Sequence, residues 1–105
     1  MSSLSTHVLD TALGRPAQGV PVRLYADDVV VATGTTNADG RIAEFVPPLE
    51  RGTYRLWFDV AAYAGSTGQD IFFPEVSVTF TVADERHYHV PLLLSPFAFS
   101  TYRGS

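Results

Sequence analysis

The chain of 105 residues contains no cysteine, which excludes disulfide bonds, cysteine-ligated zinc and a thiol nucleophile. Positive charge is also scarce, because seven basic residues face eleven acidic ones and the formal net charge is -4. Binding to phosphates depends on clustered Lys and Arg, and no basic run occurs anywhere in the chain. We therefore expect neither a nucleic acid nor an anionic membrane surface as a partner.

Long hydrophobic runs are absent as well, and no segment approaches the roughly 20 apolar residues of a membrane-spanning helix. Residues 1–6 lack the charged and apolar regions of a secretory signal. The ending Arg103-Gly104-Ser105 differs from the Ser-Lys-Leu type of peroxisomal address. We expect a soluble, cytoplasmic protein. With 46% hydrophobic and 17% charged residues, the sequence predicts one globular domain over residues 1–105.

Apolar and polar residues alternate along much of the chain, which indicates β-strands with one buried face. The clearest alternation lies in residues 76–82, where Val and Phe alternate with Ser and Thr. Turn-forming residues such as Asp27-Asp28 and Asn37-Ala38-Asp39-Gly40 recur every eight to twelve positions. This pattern predicts an antiparallel β-sandwich of seven or eight strands. The expected strands are residues 4–10, 20–26, 29–35, 42–46, 52–59, 76–82, 86–94 and 97–102.

One short helix is expected late in the chain. Asp59 is suited to cap its start, residues 60–64 form its body, and Gly65 is placed to end it. The apolar residues 71–74 that follow the next loop are expected to pack beneath that loop.

The last twenty residues, 86–105, combine a core strand with polar groups. In an extended strand Tyr88 and Val90 share one face with Leu92 and Leu94, while His87 and His89 share the other. The final strand is short, aromatic and expected at a sheet edge, where unpaired backbone groups accept another strand. We therefore expect a homo-oligomer built by edge-strand pairing.

Three histidines, His7, His87 and His89, are the groups suited to acid-base chemistry near neutral pH. His7 and His89 each lie mid-strand, opposite the core face of their strand. If the two strands pair in one sheet, both imidazoles face the same external groove. Two arginines have positions that the sequence defines best. Arg41 directly follows a turn, and Arg103 lies near the terminus. Surface histidines and arginines are common on strands, so none of these signals is specific by itself.

A metal site is the alternative use of the histidines, because neutral imidazole is a good zinc ligand. The spacing of His87 and His89 suits chelation from a strand. However, no Asp or Glu lies near them on that face, and His7 would have to arrive from another strand. We expect no metal. A Ser-His-Asp triad is also disfavoured, since the sequence has no nucleophile-elbow signature.

Three segments resemble signatures of the transthyretin family. Residues 7–22, with His-Val-Leu-Asp at their start, are similar to its N-terminal signature. Residues 88–99 are similar to its C-terminal signature, with Ala98 where Gly or Ser is usual. The ending Tyr102-Arg103-Gly104-Ser105 resembles the tetrapeptide that marks the 5-hydroxyisourate hydrolase branch. The hormone-carrying branch has lysine in place of His7 and lacks the other enzyme features, so the resemblance favours the enzyme over the carrier.

The resemblance implies a hydrolase that opens the ring of 5-hydroxyisourate, the product of urate oxidation, to 2-oxo-4-hydroxy-4-carboxy-5-ureidoimidazoline without a cofactor. It implies two four-stranded sheets with one short helix. It also implies a homotetramer, a dimer of dimers with a central channel. The sites would lie in that channel, where His7, Arg41, His89 and residues 102–105 converge.

Hydrolysis of a cyclic amide requires an activated water, a stabiliser for the oxyanion and a proton for the departing nitrogen. On the resemblance, His7 and His89 supply the proton relay, with His7 as general base and His89 as its orienting or proton-sharing partner. This division between the two imidazoles is left open. His87 is expected to lie outside the site.

The remaining roles concern substrate binding. Arg41 and Arg103 would bind the carbonyl groups of the substrate, because a planar guanidinium suits bidentate contacts. Ser105 would hold the substrate or the water through its hydroxyl or the terminal carboxylate. Tyr102 would position the tail.

Overall fold

Nine β-strands and one α-helix make up the computed structural model, which describes residues 1–105. The strands form two sheets, and the predicted two-sheet architecture with one short helix is confirmed. The elements are β1 (Leu4–Asp10), β2 (Arg15–Pro16), β3 (Pro21–Ala26), β4 (Val29–Thr35), β5 (Arg41–Ile42), β6 (Gly52–Phe58), α1 (Val60–Thr67), β7 (Val76–Val82), β8 (Tyr88–Ser95) and β9 (Ala98–Thr101).

The two sheets differ in how many strands they contain. One has four strands in the order β4-β3-β6-β7. The other has the order β2-β1-β8-β9 and a fifth strand, because the two-residue strands β2 and β5 both pair with β1. All pairings are antiparallel except β1 with β8, which is parallel from Leu4 opposite Tyr88 to Asp10 opposite Leu94. This pairing joins the two ends of the chain at the centre of the sheet.

The core lies between the sheets and follows the alternation of each strand. One cluster of 18 buried apolar residues includes Val8 from β1, Leu24 from β3, Leu56 from β6 and Leu92 from β8. Fully burying a side chain of this size contributes about 1.5–3 kcal/mol. Since these residues point inward, their neighbours in sequence, His7 and His89 among them, are left on the outer faces.

The helix begins as predicted and ends later than predicted. The side chain of Asp59 accepts a hydrogen bond of 3.0 Å from the Ala62 N–H, which caps the helix. Gly65 is helical, and the helix instead ends before Gly68, which has a φ of 68° and donates its N–H to the Ala64 carbonyl. Gly68 therefore takes the left-handed terminating position, so the end predicted at Gly65 is wrong.

Other predicted boundaries are shifted or shortened. The strand expected over residues 42–46 is limited to Arg41–Ile42, because the chain then leaves the sheet and only the Phe45 N–H bonds back to Leu4. The strands expected at 86–94 and 97–102 are Tyr88–Ser95 and Ala98–Thr101.

The apolar residues 71–74 pack only in part. Ile71 is partly buried and packs against the core cluster. Phe72 is 70% exposed, so the prediction is wrong for this residue. Phe73 instead packs edge-on against Phe99 of β9, with ring centroids 5.2 Å apart.

Strands β9 and β7 end their respective sheets. All four residues of β9 are exposed, as expected for an edge strand that is paired on one side only. The one helix of the chain, α1, is not long and apolar enough to cross a membrane.

Candidate active site

The outer face of the five-stranded sheet carries the predicted catalytic side chains. In the parallel pairing of β1 with β8, Ser5 lies opposite His89 and His7 lies opposite Pro91. On the other side of β1, His7 lies opposite Arg41 of β5. Residues directly opposite each other in a ladder project from the same face. The structure therefore brings His7, Arg41 and His89 together on one face, as the strand pattern predicts for the two imidazoles.

The turn before Arg41 fixes the position of this arginine. The Asn37 side-chain oxygen accepts hydrogen bonds from the N–H groups of Asp39, at 2.9 Å, and Arg41, at 3.0 Å. Gly40 has a φ of 73°, and its carbonyl accepts a 2.7 Å hydrogen bond from the Val8 N–H. A side chain at Gly40 would collide with the Val8 carbonyl oxygen. The turn is thereby held against β1 directly beside His7.

The same turn orients the His7 ring. His7 Nε2 lies 2.9 Å from the carbonyl oxygen of Asp39. Because a carbonyl only accepts hydrogen bonds, Nε2 carries the hydrogen, and Nδ1 of the neutral ring holds the free lone pair. His7 Nδ1 is therefore the basic atom available for proton abstraction.

The His89 ring is held by one side chain and one backbone segment. Its Nδ1 lies 2.7 Å from the hydroxyl oxygen of Ser5. The Gly104 N–H donates a 2.8 Å hydrogen bond to the His89 carbonyl, and a Cβ on Gly104 would stand 2.5 Å from the ring carbon Cδ2. These contacts leave His89 Nε2 as the ring nitrogen available to a substrate.

The charges around His89 favour its neutral form. Partial burial lowers the pKa of His89 from its ordinary value, and the electrostatic influence of Arg41, His7 and His87 lowers it further. A hydrogen bond with the backbone of Ser5 opposes these effects and does not reverse them. At neutral pH His89 is therefore a neutral imidazole, which is able both to give and to take a proton.

The C-terminal tail continues the pairing of β9 with β8. Gly104 forms an isolated antiparallel bridge with His89, in the same register as the pairing of β9 with β8. The Thr101 hydroxyl donates a 2.7 Å hydrogen bond to the Pro91 carbonyl. Tyr102 is 58% exposed and Ser105 is also exposed.

Arg103 lies apart from the other predicted site residues. Its guanidinium carbon lies 4.3 Å from the centroid of the Tyr88 ring. Tyr88 points to the core face of β8, opposite to His89. Within one chain the structure does not bring Arg103 to His7, Arg41 and His89, and its binding role stays a prediction.

The structure connects His87, which the sequence interpretation leaves outside the site, to His89. His87 Nε2 lies 2.8 Å from the hydroxyl oxygen of Ser5, which also contacts His89. His87 Nδ1 contacts the hydroxyl of Ser3. Ser3 lies beside His87 and Ser5 lies opposite His89. This arrangement can be recognised only when the register of β1 on β8 is known.

The face that carries His7 and His89 holds no cluster suited to a metal ion, and the apolar cavity of the chain lies elsewhere. No group of three or more His, Cys, Asp or Glu in the chain is arranged to hold a metal ion. An apolar cavity of about 170 Å³, lined by Val78, Phe80, Tyr88 and Arg103 among others, lies at the edges of the two sheets. It is on the other side of β8 from His89, whereas Arg41 is exposed and His7 and His89 are half-buried at the surface.

Comparison with known proteins places this geometry in a family. The sequence matches the family model described as Transthyretin, the HIUase/Transthyretin family, over residues 4–104. The chain belongs to this family. Both the resemblance read from the sequence signatures and the predicted fold class are thereby confirmed.

The chain is similar both to 5-hydroxyisourate hydrolases and to a transthyretin of this family. It is 46% identical over 113 residues to the 5-hydroxyisourate hydrolase of Mus musculus, covering 99% of this chain and 96% of the mouse protein. The structure of Klebsiella pneumoniae 5-hydroxyisourate hydrolase has a TM-score of 0.94 and 42% identity, with complete coverage of both chains. Sea bream transthyretin in complex with thyroxine has a TM-score of 0.88 and 34% identity, covering 96% of this chain and 93% of that one.

Proposed function

We propose that the chain is a single hydrolase domain that opens the ring of 5-hydroxyisourate to 2-oxo-4-hydroxy-4-carboxy-5-ureidoimidazoline in urate degradation. The observation that carries the proposal is the grouping of His7, Arg41 and His89 on one face of the sheet. The identity of 46% to the mouse 5-hydroxyisourate hydrolase, over nearly the whole chain, supports the substrate. The bond cleaved is a C–N bond of a cyclic amide.

Each group on this face suits one requirement of the reaction. His7 Nδ1 takes a proton from the attacking water, and the Asp39 carbonyl, which accepts from Nε2–H, stabilises the resulting imidazolium. The Arg41 guanidinium binds the carbonyl oxygen and stabilises its developing negative charge. His89 Nε2 gives a proton to the departing nitrogen. These three residues supply the base, the oxyanion stabiliser and the acid, so the proposal requires no cofactor and no metal.

The C-terminal tail belongs to the substrate-binding part of the proposal. Gly104 packs against the His89 ring, and Ser105 follows it directly, so the Ser105 hydroxyl is assigned to holding the substrate or the water. Tyr102 positions the tail. Arg103 is assigned to the substrate carbonyls, and this role requires it to leave the Tyr88 ring or to serve another protomer's site.

The proposal includes a homotetramer, formed as a dimer of dimers. The exposed edge strand β9 and the edge strand β7 offer backbone groups for pairing with a second copy. Two outer faces that carry His7 and His89 would then meet across a channel and exclude water from the substrate. Size-exclusion chromatography with light scattering tests the assembly, and a monomer at micromolar concentration would contradict it. A cytoplasmic location is also proposed, and cell fractionation tests it.

The test of the reaction is the ultraviolet decay of 5-hydroxyisourate that urate oxidase generates in the cuvette. We expect the native chain to accelerate this decay above the spontaneous rate. His89→Ala should lose about 10²- to 10⁴-fold, the usual size of a general acid-base contribution. Arg41→Ala should also lose most of the rate, whereas Arg51→Ala, at an exposed arginine away from this face, should retain it.

The outcome without acceleration is equally informative. If the native chain leaves the spontaneous decay unchanged, the hydrolase proposal is wrong. Binding of thyroxine would then be measured, because thyroxine is the ligand in the sea bream transthyretin complex.

A further inference from the structure

We infer that Ser3, His87 and Ser5 form a proton relay that connects solvent to His89. This inference deepens the proposed function and rests on it, because it assigns the source of the proton that His89 delivers. It makes Ser5 and His87 positioning residues that act through His89 and do not touch the substrate.

The relay is a continuous row of short contacts. The Ser3 hydroxyl oxygen lies 2.5 Å from His87 Nδ1, and His87 Nε2 lies 2.8 Å from the Ser5 hydroxyl oxygen. The same Ser5 oxygen lies 2.7 Å from His89 Nδ1. The two imidazole planes are within 20° of parallel, with centroids 6.5 Å apart. The Ser5 hydroxyl thus bridges the ring of His87, directly before β8, and the ring of His89, inside β8.

The register of the sheet creates this row. Ser5 lies opposite His89 in the parallel pairing of β1 with β8. The Tyr88 N–H donates a hydrogen bond to the Ser3 carbonyl. The register therefore continues before the first pair, Leu4 with Tyr88, and places Ser3 beside His87. Both serines and both histidines therefore project from the same face. A slip of one residue would turn the serines away from the histidines.

The hydrogen count at Ser5 forces an ordered arrangement. A serine hydroxyl has one hydrogen to donate, and it contacts two imidazole nitrogens. It therefore donates to one ring and accepts from the other. In the inward arrangement, Ser3 donates to His87 Nδ1, His87 Nε2–H donates to Ser5, and Ser5 donates to His89 Nδ1. In the outward arrangement every one of these hydrogen bonds is reversed. His89 Nε2 carries a hydrogen in the first arrangement and a lone pair in the second.

Passage between the two arrangements moves one proton. As the C–N bond of the substrate breaks, His89 Nε2 gives its proton to the departing nitrogen. His89 Nδ1 takes the Ser5 hydroxyl proton, Ser5 takes the proton of His87 Nε2, His87 Nδ1 takes the Ser3 proton, and Ser3 takes one from water. The relay resets when the proton that His7 took from the attacking water returns to His89 Nε2 and one proton leaves through Ser3. Over a turnover no proton is gained or lost.

The burial of the row suits this direction of transfer. His87 is exposed and Ser3 is half-buried, whereas Ser5 is 8% exposed. The outer end therefore contacts solvent while the inner end is shielded by the sheet. Partial burial holds the pKa of His89 below its ordinary value, and Arg41, His7 and His87 lower it further, which keeps the ring neutral between transfers.

A purely structural role for His87 makes a different prediction from the relay. If His87 only holds Ser5 in place, a side chain that keeps the hydrogen bond is sufficient. Glutamine at this position retains a donor and an acceptor but does not pass a proton from one to the other. We expect His87→Gln to lower kcat about tenfold or more, as a part of the acid-base contribution, with KM unchanged. Arg86→Ala, at the exposed neighbouring residue, is the control and should keep the native kcat.

Chemical rescue and a double variant complete the test. Imidazole added to His87→Ala should restore kcat in proportion to its concentration, because it takes up the vacated proton-transfer position. Ser5→Ala should lower kcat by at least as much as His87→Gln, and the double variant should lose no more than Ser5→Ala alone. Light scattering and circular dichroism confirm that each variant is folded and assembled as the native protein.

The outcomes separate the relay from the proposed function. The relay is overturned if the native chain is active and His89→Ala is not, while His87→Gln retains the native kcat and imidazole rescues nothing. If the native chain itself fails to accelerate the decay of 5-hydroxyisourate, the proposed function fails first, and the relay fails with it.

Discussion

Gly104 lies with its backbone against the imidazole of His89. The Gly104 N–H donates a 2.8 Å hydrogen bond to the His89 carbonyl, and a Cβ at this position would stand 2.5 Å from Cδ2 of the ring. It would also stand 3.3 Å from the Pro91 ring. Since contacts below 3.0 Å require one partner to move, the tail and the His89 ring keep their positions only with glycine here.

The first prediction follows from this contact. Gly104→Ala should displace either the His89 ring or the tail, and we expect kcat for 5-hydroxyisourate hydrolysis to fall at least about tenfold, since positioning errors near 1 Å are costly. Gly65→Ala is the matched control, because Gly65 is helical and a Cβ there meets nothing within 4 Å. It should keep the native rate and gain about 0.5–1 kcal/mol of stability. A native kcat for Gly104→Ala would show that this contact does not position His89.

Local sequence patterns predicted the bounds of β1, β4 and β7 to the residue. In β7, Val and Phe alternate with Ser and Thr, whereas β4 is an apolar, β-branched run with turns at both ends. The errors arose where local signals compete. Gly65 and Gly68 both suit a helix end, and only packing decides between them. Phe72 is apolar and yet 70% exposed, which no local pattern predicts.

The sequence predicts which face of a strand each site residue occupies, but it does not predict which strands pair. Alternation placed His7 and His89 on outer faces, the turn before Arg41 singled out this arginine, and the family resemblance joined the three residues in one site. The relation between strands was beyond the sequence, because β1 and β8 lie about 80 residues apart and pair in parallel. That pairing is what brings Ser5 between His87 and His89, so Ser5 was missed. The alternation of the tail similarly places Arg103 over Tyr88, on the face opposite to Gly104.

The second prediction concerns the charge beside His89. Arg41 is one of the groups that lower the pKa of His89, after partial burial. Arg41→Gln removes this positive charge, so the pKa of His89 should rise toward its ordinary value while burial still holds it below. An NMR titration of the His89 Cε1 proton measures the shift. Arg51→Gln should leave this titration unchanged, and an unchanged pKa in Arg41→Gln would mean that the guanidinium does not act on the ring.

The third prediction compares two glycines with the same backbone conformation. Gly14 and Gly40 have φ values of 68° and 73°, so alanine at either position incurs a conformational cost of about 1–2 kcal/mol. At Gly14 a Cβ meets nothing within 4 Å, whereas at Gly40 it collides with the Val8 carbonyl. Gly40→Ala should therefore destabilise the protein more than Gly14→Ala in urea unfolding. It should also lower kcat, because the turn that carries Arg41 must shift. Equal effects of the two substitutions would contradict this role of Gly40.

A buried carboxylate links β1 to the helix and leads to the fourth prediction. Asp10 is 2% exposed, and its Oδ2 accepts hydrogen bonds from the Tyr63 hydroxyl, at 2.6 Å, and from the Gln69 side chain, at 2.8 Å. Its Oδ1 accepts from the Leu13 N–H at 2.9 Å. Burial by itself raises the pKa of Asp10, but these hydrogen bonds together lower it below its ordinary value of 3.8. Burial and the Asp10 carboxylate raise the pKa of Tyr63 to about 12.

The depressed pKa of Asp10 fixes the sign of the pH dependence. Its ionised form is favoured in the folded state, so its contribution to the free energy of unfolding is complete above the unfolded pKa, near 3.8. It is lost as the pH falls through the folded pKa. Tyr63→Phe removes one donor to a charged group, which should cost about 1.5–3 kcal/mol at pH 7. The difference between the native protein and this variant should shrink as the pH falls below about 4.

Urea unfolding at pH 7 and at pH 3, at one fixed protein concentration, measures this difference. Tyr54→Phe is the control, because the Tyr54 hydroxyl donates a 2.8 Å hydrogen bond to the Glu50 backbone carbonyl and to no carboxylate. Its smaller cost should be the same at both pH values. If the cost of Tyr63→Phe is equally independent of pH, the hydrogen bond from Tyr63 is not what keeps Asp10 ionised, and the remaining hydrogen bonds, from Leu13, Gln69 and Ala12, would then balance burial.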